Sequence, residues 1–227
     1  MVSVEGNIAS GKSTFLKSMI RSSGPANAGL PELCCFPEPV QEWQRVQCYD
    51  EEGSINLLAQ YYDDQSGRAA AFQSFILLTQ LRQMLRSKAE IRLVERLAGS
   101  ELFLDLGRDA GHIDRCEYSI LKQWSSTLRE IPSSCLSPNL IVYLKARPET
   151  ALARLRERGR REERGVSLDY LQRVHRLHEN WLGDKSSLPL NCEVLKIDAD
   201  QDINSLKSEY NRTRDSILSR AAMHFNI

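Results

Sequence analysis

Short apolar runs recur along the chain at residues 2–4, 33–36, 91–94, 139–144 and 192–197. Runs of this length, rich in Val, Ile, Leu and Cys, read as strands buried on both faces. Between them lie segments with helical periodicity, at residues 15–22, 54–63, 69–89, 114–131, 148–158, 168–182 and 203–222. The segment 69–89 sets Phe72, Phe75, Ile76, Leu78 and Leu81 on one stripe. The punctuation agrees with these limits. Gly24-Pro25 closes the first helix, Pro37 and Pro39 stop the second strand, Ser54 is the expected cap of the short helix, and Pro148 sits in the first turn of its own. Strands alternating with helices predict an α/β fold: a five-stranded parallel sheet with helices on both faces. No internal repeat, low-complexity tract or linker interrupts residues 1–227, so a single domain is expected. In such sheets ligands lie beyond the carboxyl ends of the strands, and the residues directly after each strand carry most weight.

The first strand runs into Gly6-Asn7-Ile8-Ala9-Ser10-Gly11-Lys12-Ser13-Thr14, which fits G-x-x-x-x-G-K-[ST] without mismatch. Glycines let the backbone approach an anion, successive N–H groups face it, and the helix that follows adds its positive end. Lys12 is expected at the outer phosphates of a nucleotide and the Ser13 hydroxyl on Mg²⁺. The fold expected is therefore a P-loop fold.

The second strand leads to Glu38 and the third to Glu95-Arg96. Carboxylates beside a phosphate cradle suit a general base or a metal ligand, and an arginine there neutralises phosphate charge. A solvated turn and an exposed ion pair would carry the same letters. Arg154, Arg156, Arg158, Arg160, Arg161 and Arg164 share one segment with Glu157, Glu162 and Glu163. Such a run is usually a self-paired surface face, but the breaks at Gly159 and Gly165 point to an Arg-rich lid over residues 158–166. Phe72-Gln73 offers a stacking face beside one donor and one acceptor, which a nucleobase edge can use. His175 and His178 stand three apart without a third ligand and are expected to pack.

Composition narrows the partners. Lys and Arg total 30 against 30 Asp and Glu, so a globally basic nucleic-acid binder is not expected. The 41% hydrophobic content supports an ordinary core. Cys34, Cys35, Cys48, Cys116, Cys135 and Cys192 show no metal-binding spacing and are expected as free thiols. No apolar run approaches the roughly 20 residues of a membrane span. No targeting segment is recognised before the first strand, and a cytoplasmic or mitochondrial location is expected.

Five stretches, SVEGNIASGKSTFL, PEPVQEW, YYDDQSGRAAAFQSF, VER and RGRREERGVSLDYLQRVHRLHENWL, occur in one order between residues 3 and 182. Together they resemble the deoxyribonucleoside kinases, the family of deoxycytidine, deoxyguanosine and mitochondrial thymidine kinases. The resemblance implies ATP-dependent phosphorylation of the 5′-hydroxyl of a deoxynucleoside. Glu38 would be the base that takes the hydroxyl proton. Arg96 would steady Glu38 and the 5′-oxygen, and Glu95 would assist Mg²⁺ with Ser13. Trp43 would pack on the nucleobase, Phe72 would stack on it and Gln73 would pair with its edge. Tyr62 and Glu163 would bind the 3′-hydroxyl. Arg158 and Arg160 would clamp the phosphates, while Arg154 and the loop around Asp200 would border the adenine. A homodimer is implied in the same way. The chain departs from the family after Glu95-Arg96, where Leu97 replaces the usual serine and Gly99 is inserted. There Glu101, and with it Gln80, occupy positions that face the base in relatives, so Glu101 is expected in the acceptor pocket. Two other readings stay open on sequence: a nucleotide-binding structural or regulatory protein that lost turnover, and a nucleoside monophosphate kinase.

Overall fold

A computed structural model describes residues 1–21, 32–50, 52–130, 137–183 and 192–225, with the backbone alone for residues 21, 203 and 221–225. The Gly24-Pro25 turn, Ile131 and Cys135 lie outside the described residues. In chain order the elements are β1 (Val2–Glu5), α1 (Lys12–Arg21), β2 (Leu33–Phe36), α2 (Val40–Trp43), β3 (Val46–Gln47), β4 (Ser54–Ile55), α3 (Leu57–Asp63), α4 (Gln65–Arg86), β5 (Ile91–Glu95), α5 (Ser100–Asp109), α6 (Arg115–Glu130), β6 (Leu140–Lys145), α7 (Pro148–Arg158), α8 (Leu168–Leu182), β7 (Glu193–Asp198) and α9 (Ile203–Phe225). A 3-10 turn covers Arg161–Glu163.

Five of the strands form the expected parallel sheet, in the order β2-β5-β1-β6-β7, and β3 pairs antiparallel with β4 apart from it. Side chains alternate across the sheet. Val2, Val4, Leu93, Val142 and Leu144 meet Phe15, Leu16 and Tyr210 of α1 and α9 on one face. Ile141 and Tyr143 meet Leu182 of α8 on the other, and Val94 meets Met84 and Leu128 of α4 and α6. Full burial of a side chain such as Phe15 or Leu93 is worth about 1.5–3 kcal/mol. The register sets Val4 beside Glu95 and Val142, so the loop after β1 and the residues after β5 emerge on the same edge.

Three local expectations are corrected. Ser54 caps no helix, because it pairs with Gln47 in the β3–β4 ladder, and the cap of α3 is Asn56, whose Oδ1 accepts from the Ala59 N–H at 2.9 Å. The long helix starts at Gln65, four residues before 69, because Asp64 caps it through the Gly67 N–H at 3.0 Å. Leu78 belongs to no buried stripe and is 41% exposed. Helix α5 is an element that the apolar pattern does not announce. α6 opens with a reciprocal capping box, in which the Glu117 N–H reaches Asp114 at 2.8 Å and the Asp114 N–H reaches Glu117 at 3.0 Å. The described cysteines are free, as expected.

Candidate active site

The cradle after β1 has the backbone its sequence demands. Gly6 takes φ 143°, and a Cβ there would lie 2.5 Å from the Leu144 carbonyl oxygen. Gly11 takes φ 106°, and Ala9 is left-handed at φ 58°. Asn7 fixes the loop from inside: its Oδ1 accepts from the Ile8 N–H at 2.8 Å and its Nδ2 donates to the Leu171 carbonyl of α8 at 2.9 Å. Lys12, only 4% exposed, donates to the carbonyls of Gly6 at 3.2 Å and Asn7 at 2.8 Å. Burial and the nearby Arg96 guanidinium lower its amine to about 8, against the pull of Glu95 and Glu38. Ser13, the second residue of α1, donates its hydroxyl to the Glu95 carboxylate at 3.1 Å, and Lys12 Nζ lies 3.9 Å from the same group. A hydroxyl and a carboxylate are the hard oxygen donors that Mg²⁺ accepts, with substrate phosphates and water completing its shell. Among the described residues no cluster of three His, Cys, Asp or Glu could hold a metal alone.

Glu38 and Arg96 meet at the adjacent strand ends. Arg96 Nε donates to Glu38 Oε1 at 2.5 Å, and the Glu38 N–H approaches Glu95 at 3.4 Å. Burial opposes the Glu38 charge, but Arg96 and then Lys12 outweigh it and hold the carboxyl below the ordinary range. Burial and the Glu38 charge push Glu95 the other way, upward. Arg96 itself is left-handed at φ 54°, with its N–H on the Val4 carbonyl at 2.9 Å and its carbonyl taken by Gln80 Nε2 at 2.8 Å. Its guanidinium lies 4.5 Å over the Phe103 ring, and its Nη1 is buried without a hydrogen-bond partner among the described residues.

The divergent tract builds this corner. The N–H groups of Leu97 and Ala98 reach Ser3 Oγ at 3.2 Å, and those of Ala98 and Gly99 reach Glu5 Oε1 at 3.0 Å. Ser3 Oγ donates to Glu5 in turn. Burial raises the Glu5 carboxyl in spite of these bonds. Gly99 packs close to this corner: a Cβ there would lie 2.2 Å from Glu5 Oε2, so the carboxylate would have to shift.

Aromatic side chains wall the far end. Trp43 donates Nε1 to Thr79 Oγ1 at 3.1 Å and meets Phe72 edge-on at 5.4 Å, while Tyr61 stacks on Phe72 at 4.7 Å. Glu163, 3% exposed, borders the cleft from the 3-10 turn: Arg158 Nη2 and Arg160 Nη1 each donate to it at 2.5 Å. The cavity has a volume of about 1030 Å³. That reaches the top of the usual range for a single small ligand and leaves room for two substrates.

Ile8, Ala9, Gly11, Lys12, Ser13, Thr14, Glu38, Trp43, Tyr62, Phe72, Gln73, Glu95, Arg96, Arg154, Arg158, Arg160 and Glu163 all line this one cavity. Gly6, Asn7 and Ser10 belong to the same loop but are not among the lining residues. Two expectations are corrected. Glu101 does not reach the cleft, because α5 turns it toward α6, where Lys122 at 2.8 Å, Ser125 at 2.5 Å and Arg129 hold its carboxylate. Asp200 does not line it either and accepts from the Arg147 N–H and Nε at 3.1 Å. Phe103, Tyr170 and Tyr210 line the cavity and were not anticipated. Tyr170 had a signal in the VSLDYLQR stretch, but Phe103 sits in the tract with none. His178 is a core residue: its Nδ1 faces the Val174 carbonyl at 2.9 Å, its ring stacks on Tyr143, and burial lowers it to about 3.

Comparison with known proteins decides the family. The family model for deoxynucleoside kinase matches residues 2–221. The chain belongs to the deoxynucleoside kinase family. It is 33% identical to mitochondrial thymidine kinase 2 of Homo sapiens, over 96% of this chain and 78% of the relative. It is 29% identical to deoxycytidine kinase 2 of Gallus gallus, over 92% of this chain and 86% of the relative. It is also 29% identical to mitochondrial deoxyguanosine kinase of Xenopus laevis, over 82% and 74%. The chain is thus a kinase of P-loop fold that phosphorylates nucleosides, and ATP binding follows from the family. The relatives include mitochondrial kinases, and no described helix is long and apolar enough to cross a membrane.

Proposed function

We propose that the chain transfers the γ-phosphoryl group of ATP to the 5′-hydroxyl of a deoxyribonucleoside, with Glu38 as general base. The observation that carries the reading is the Glu38–Arg96 pair at 2.5 Å, in one cavity with Lys12 at one end and the Trp43–Phe72 wall at the other. Glu38, held ionised by Arg96, takes the hydroxyl proton as the 5′-oxygen bonds to phosphorus and the β–γ bridging oxygen leaves with ADP. The free Nη1 of Arg96 donates to that 5′-oxygen. Lys12 leaves the loop carbonyls for the β- and γ-phosphates, and Arg158 and Arg160 reach the transferring group from the lid. Mg²⁺, when bound through Ser13 and Glu95, neutralises phosphate charge. Arg154 borders the donor base. Tyr62 and Glu163 hold the 3′-hydroxyl, Phe72 and Trp43 flank the acceptor base, and Gln73 pairs with its edge.

Gln80 and Glu101 are engaged elsewhere, and Gln73, which follows Phe72 in the cavity lining, is the amide assigned to the base edge. A homodimer is part of the same reading, supported by exposed Leu78, Leu85, Ile120 and Trp124 on α4 and α6, which pack side by side. Sedimentation velocity tests it, with a monomer at working concentration counting against it. The activity is tested by incubating the protein with γ-labelled ATP, Mg²⁺ and each of the natural deoxynucleosides. Labelled 5′-monophosphate from at least one is expected. Product from nucleoside monophosphates alone, or from none of these acceptors, overturns the reading.

A further inference from the structure

Glu162 has no role in the transfer described above, yet its carboxylate is engaged by two distant segments. Its Oε1 accepts from Gln44 Nε2 at 2.8 Å and from Asn56 Nδ2 at 2.9 Å. Gln44 ends α2, directly after Trp43. Asn56 caps α3, the helix of Tyr61 and Tyr62, with the other atom of the same amide. The 3-10 turn therefore sends its two adjacent carboxylates in opposite directions. Glu163 faces inward to Arg158 and Arg160, and Glu162 faces the elements that carry the acceptor wall.

The lid needs such a tie. It leaves α7 through Gly159 at φ 66° and passes Gly165 before Ser167 caps α8, so glycine lies at both of its ends. Ordering a glycine-bounded segment has an entropic cost, and hydrogen bonds to a charged acceptor are the stronger kind available to offset it. The donors are neutral amides, which pay no penalty for meeting an arginine-rich segment. Bonds to Asn56 and Gln44 also hold the Glu162 carboxyl below its ordinary range.

We propose that Glu162 is a positioning residue: it latches the lid to α2 and α3 and so holds Glu163, Arg158 and Arg160 over the cleft. The proposal rests on the reading of that cleft as a joint nucleoside and ATP site. Without the latch the competent lid position is one of several, and apparent affinity falls by its lost population. Both KM values rise while kcat at saturation changes little.

The test compares wild type with Glu162→Ala, Glu162→Gln, Asn56→Ser and the Glu162→Ala/Asn56→Ser double variant. Serine keeps a capping oxygen for α3 but is too short to reach the lid. Expected for Glu162→Ala is a rise in nucleoside KM of about tenfold, the change given by about 1.4 kcal/mol, with near-normal kcat. Glu162→Gln restores most of the loss, because its amide oxygen still accepts. The double variant is no worse than Glu162→Ala, since both changes cut one latch. Amide exchange across residues 160–164, measured without ligand, is faster in Glu162→Ala. Wild-type exchange together with unchanged KM in Glu162→Ala overturns the latch, as does an additive double variant. If the wild type phosphorylates no nucleoside, the reading of the site falls, and ligand-free exchange still decides the latch.

Discussion

Replacing Glu38 with glutamine isolates what its charge does. The amide keeps the shape and can still accept from Arg96 Nε, now 2.5 Å from Oε1. What is lost is a base in reach of the acceptor hydroxyl. A general base is worth about 10²–10⁴-fold, so kcat should fall at least about 100-fold, or about 2.7 kcal/mol of barrier. The fold should survive. Glu95 still faces Lys12 and Arg96, and loss of one charge-assisted bond costs about 1–3 kcal/mol, a drop of several degrees in melting temperature. The pH profile gives a second signature. Arg96 keeps the Glu38 carboxyl below the ordinary range, so the wild-type acid limb lies at correspondingly low pH, and in the variant it vanishes. Lys12 loses its proton as pH rises through about 8, and Glu38 is one of the charges that resist this loss. Without Glu38 the alkaline limb of kcat/KM for the donor moves to lower pH. Initial rates over a range of ATP concentrations, from below the ordinary carboxylate range up to roughly pH 9, with melting curves beside them, measure both limbs. A stable variant with kcat within about threefold of wild type, or an unmoved alkaline limb, would refute the reasoning.

Tyr62→Phe removes a hydroxyl whose neighbour is the Glu163 carboxylate; kcat/KM should fall about tenfold for substrates with a 3′-hydroxyl and little for 3′-deoxy analogues, and equal losses on both would contradict the assignment. Gly99→Ala drives a Cβ into Glu5, whose carboxylate is pinned by backbone N–H groups, so urea unfolding should show a loss of about 1–3 kcal/mol. Thr79→Val keeps the volume but leaves the buried Trp43 Nε1 without its acceptor; about 1–3 kcal/mol should be lost, with a changed tryptophan near-ultraviolet signal, and an unchanged melting curve would show that water has replaced the hydroxyl.

The sheet was legible because its strands are buried on both faces and read as plain apolar runs, and the motif after β1 carries its geometry in its glycines. Glu38, Glu95 and Arg96 were legible from position, since a parallel sheet delivers its strand ends to one edge. Helix α5 was not. Leu102, Leu104 and Leu106 alternate as a strand would, and Gly107 weakens a helical reading, although it packs closely, a Cβ there lying 2.7 Å from the end of the Ile113 side chain. Glu101 was misplaced for a related reason. Its partners Lys122, Ser125 and Arg129 lie far along the sequence on α6, and only the rotation of α5 decides which way it faces. The arginine run divides into Arg154, Arg158 and Arg160, which line the cleft, and exposed Arg156, Arg161 and Arg164.

The left-handed backbone of Arg96 sets a limit on improving this protein. A bulky residue at φ 54° costs about 1–3 kcal/mol, and glycine or asparagine would relieve most of it. That relief is outweighed, because removing the guanidinium strands the part-buried Glu38 carboxylate at a cost of about 3–5 kcal/mol. A library screened for heat resistance alone should therefore keep arginine at position 96, and clones that lose it should melt lower. Directed evolution of this enzyme has to hold position 96 fixed and look for stability elsewhere.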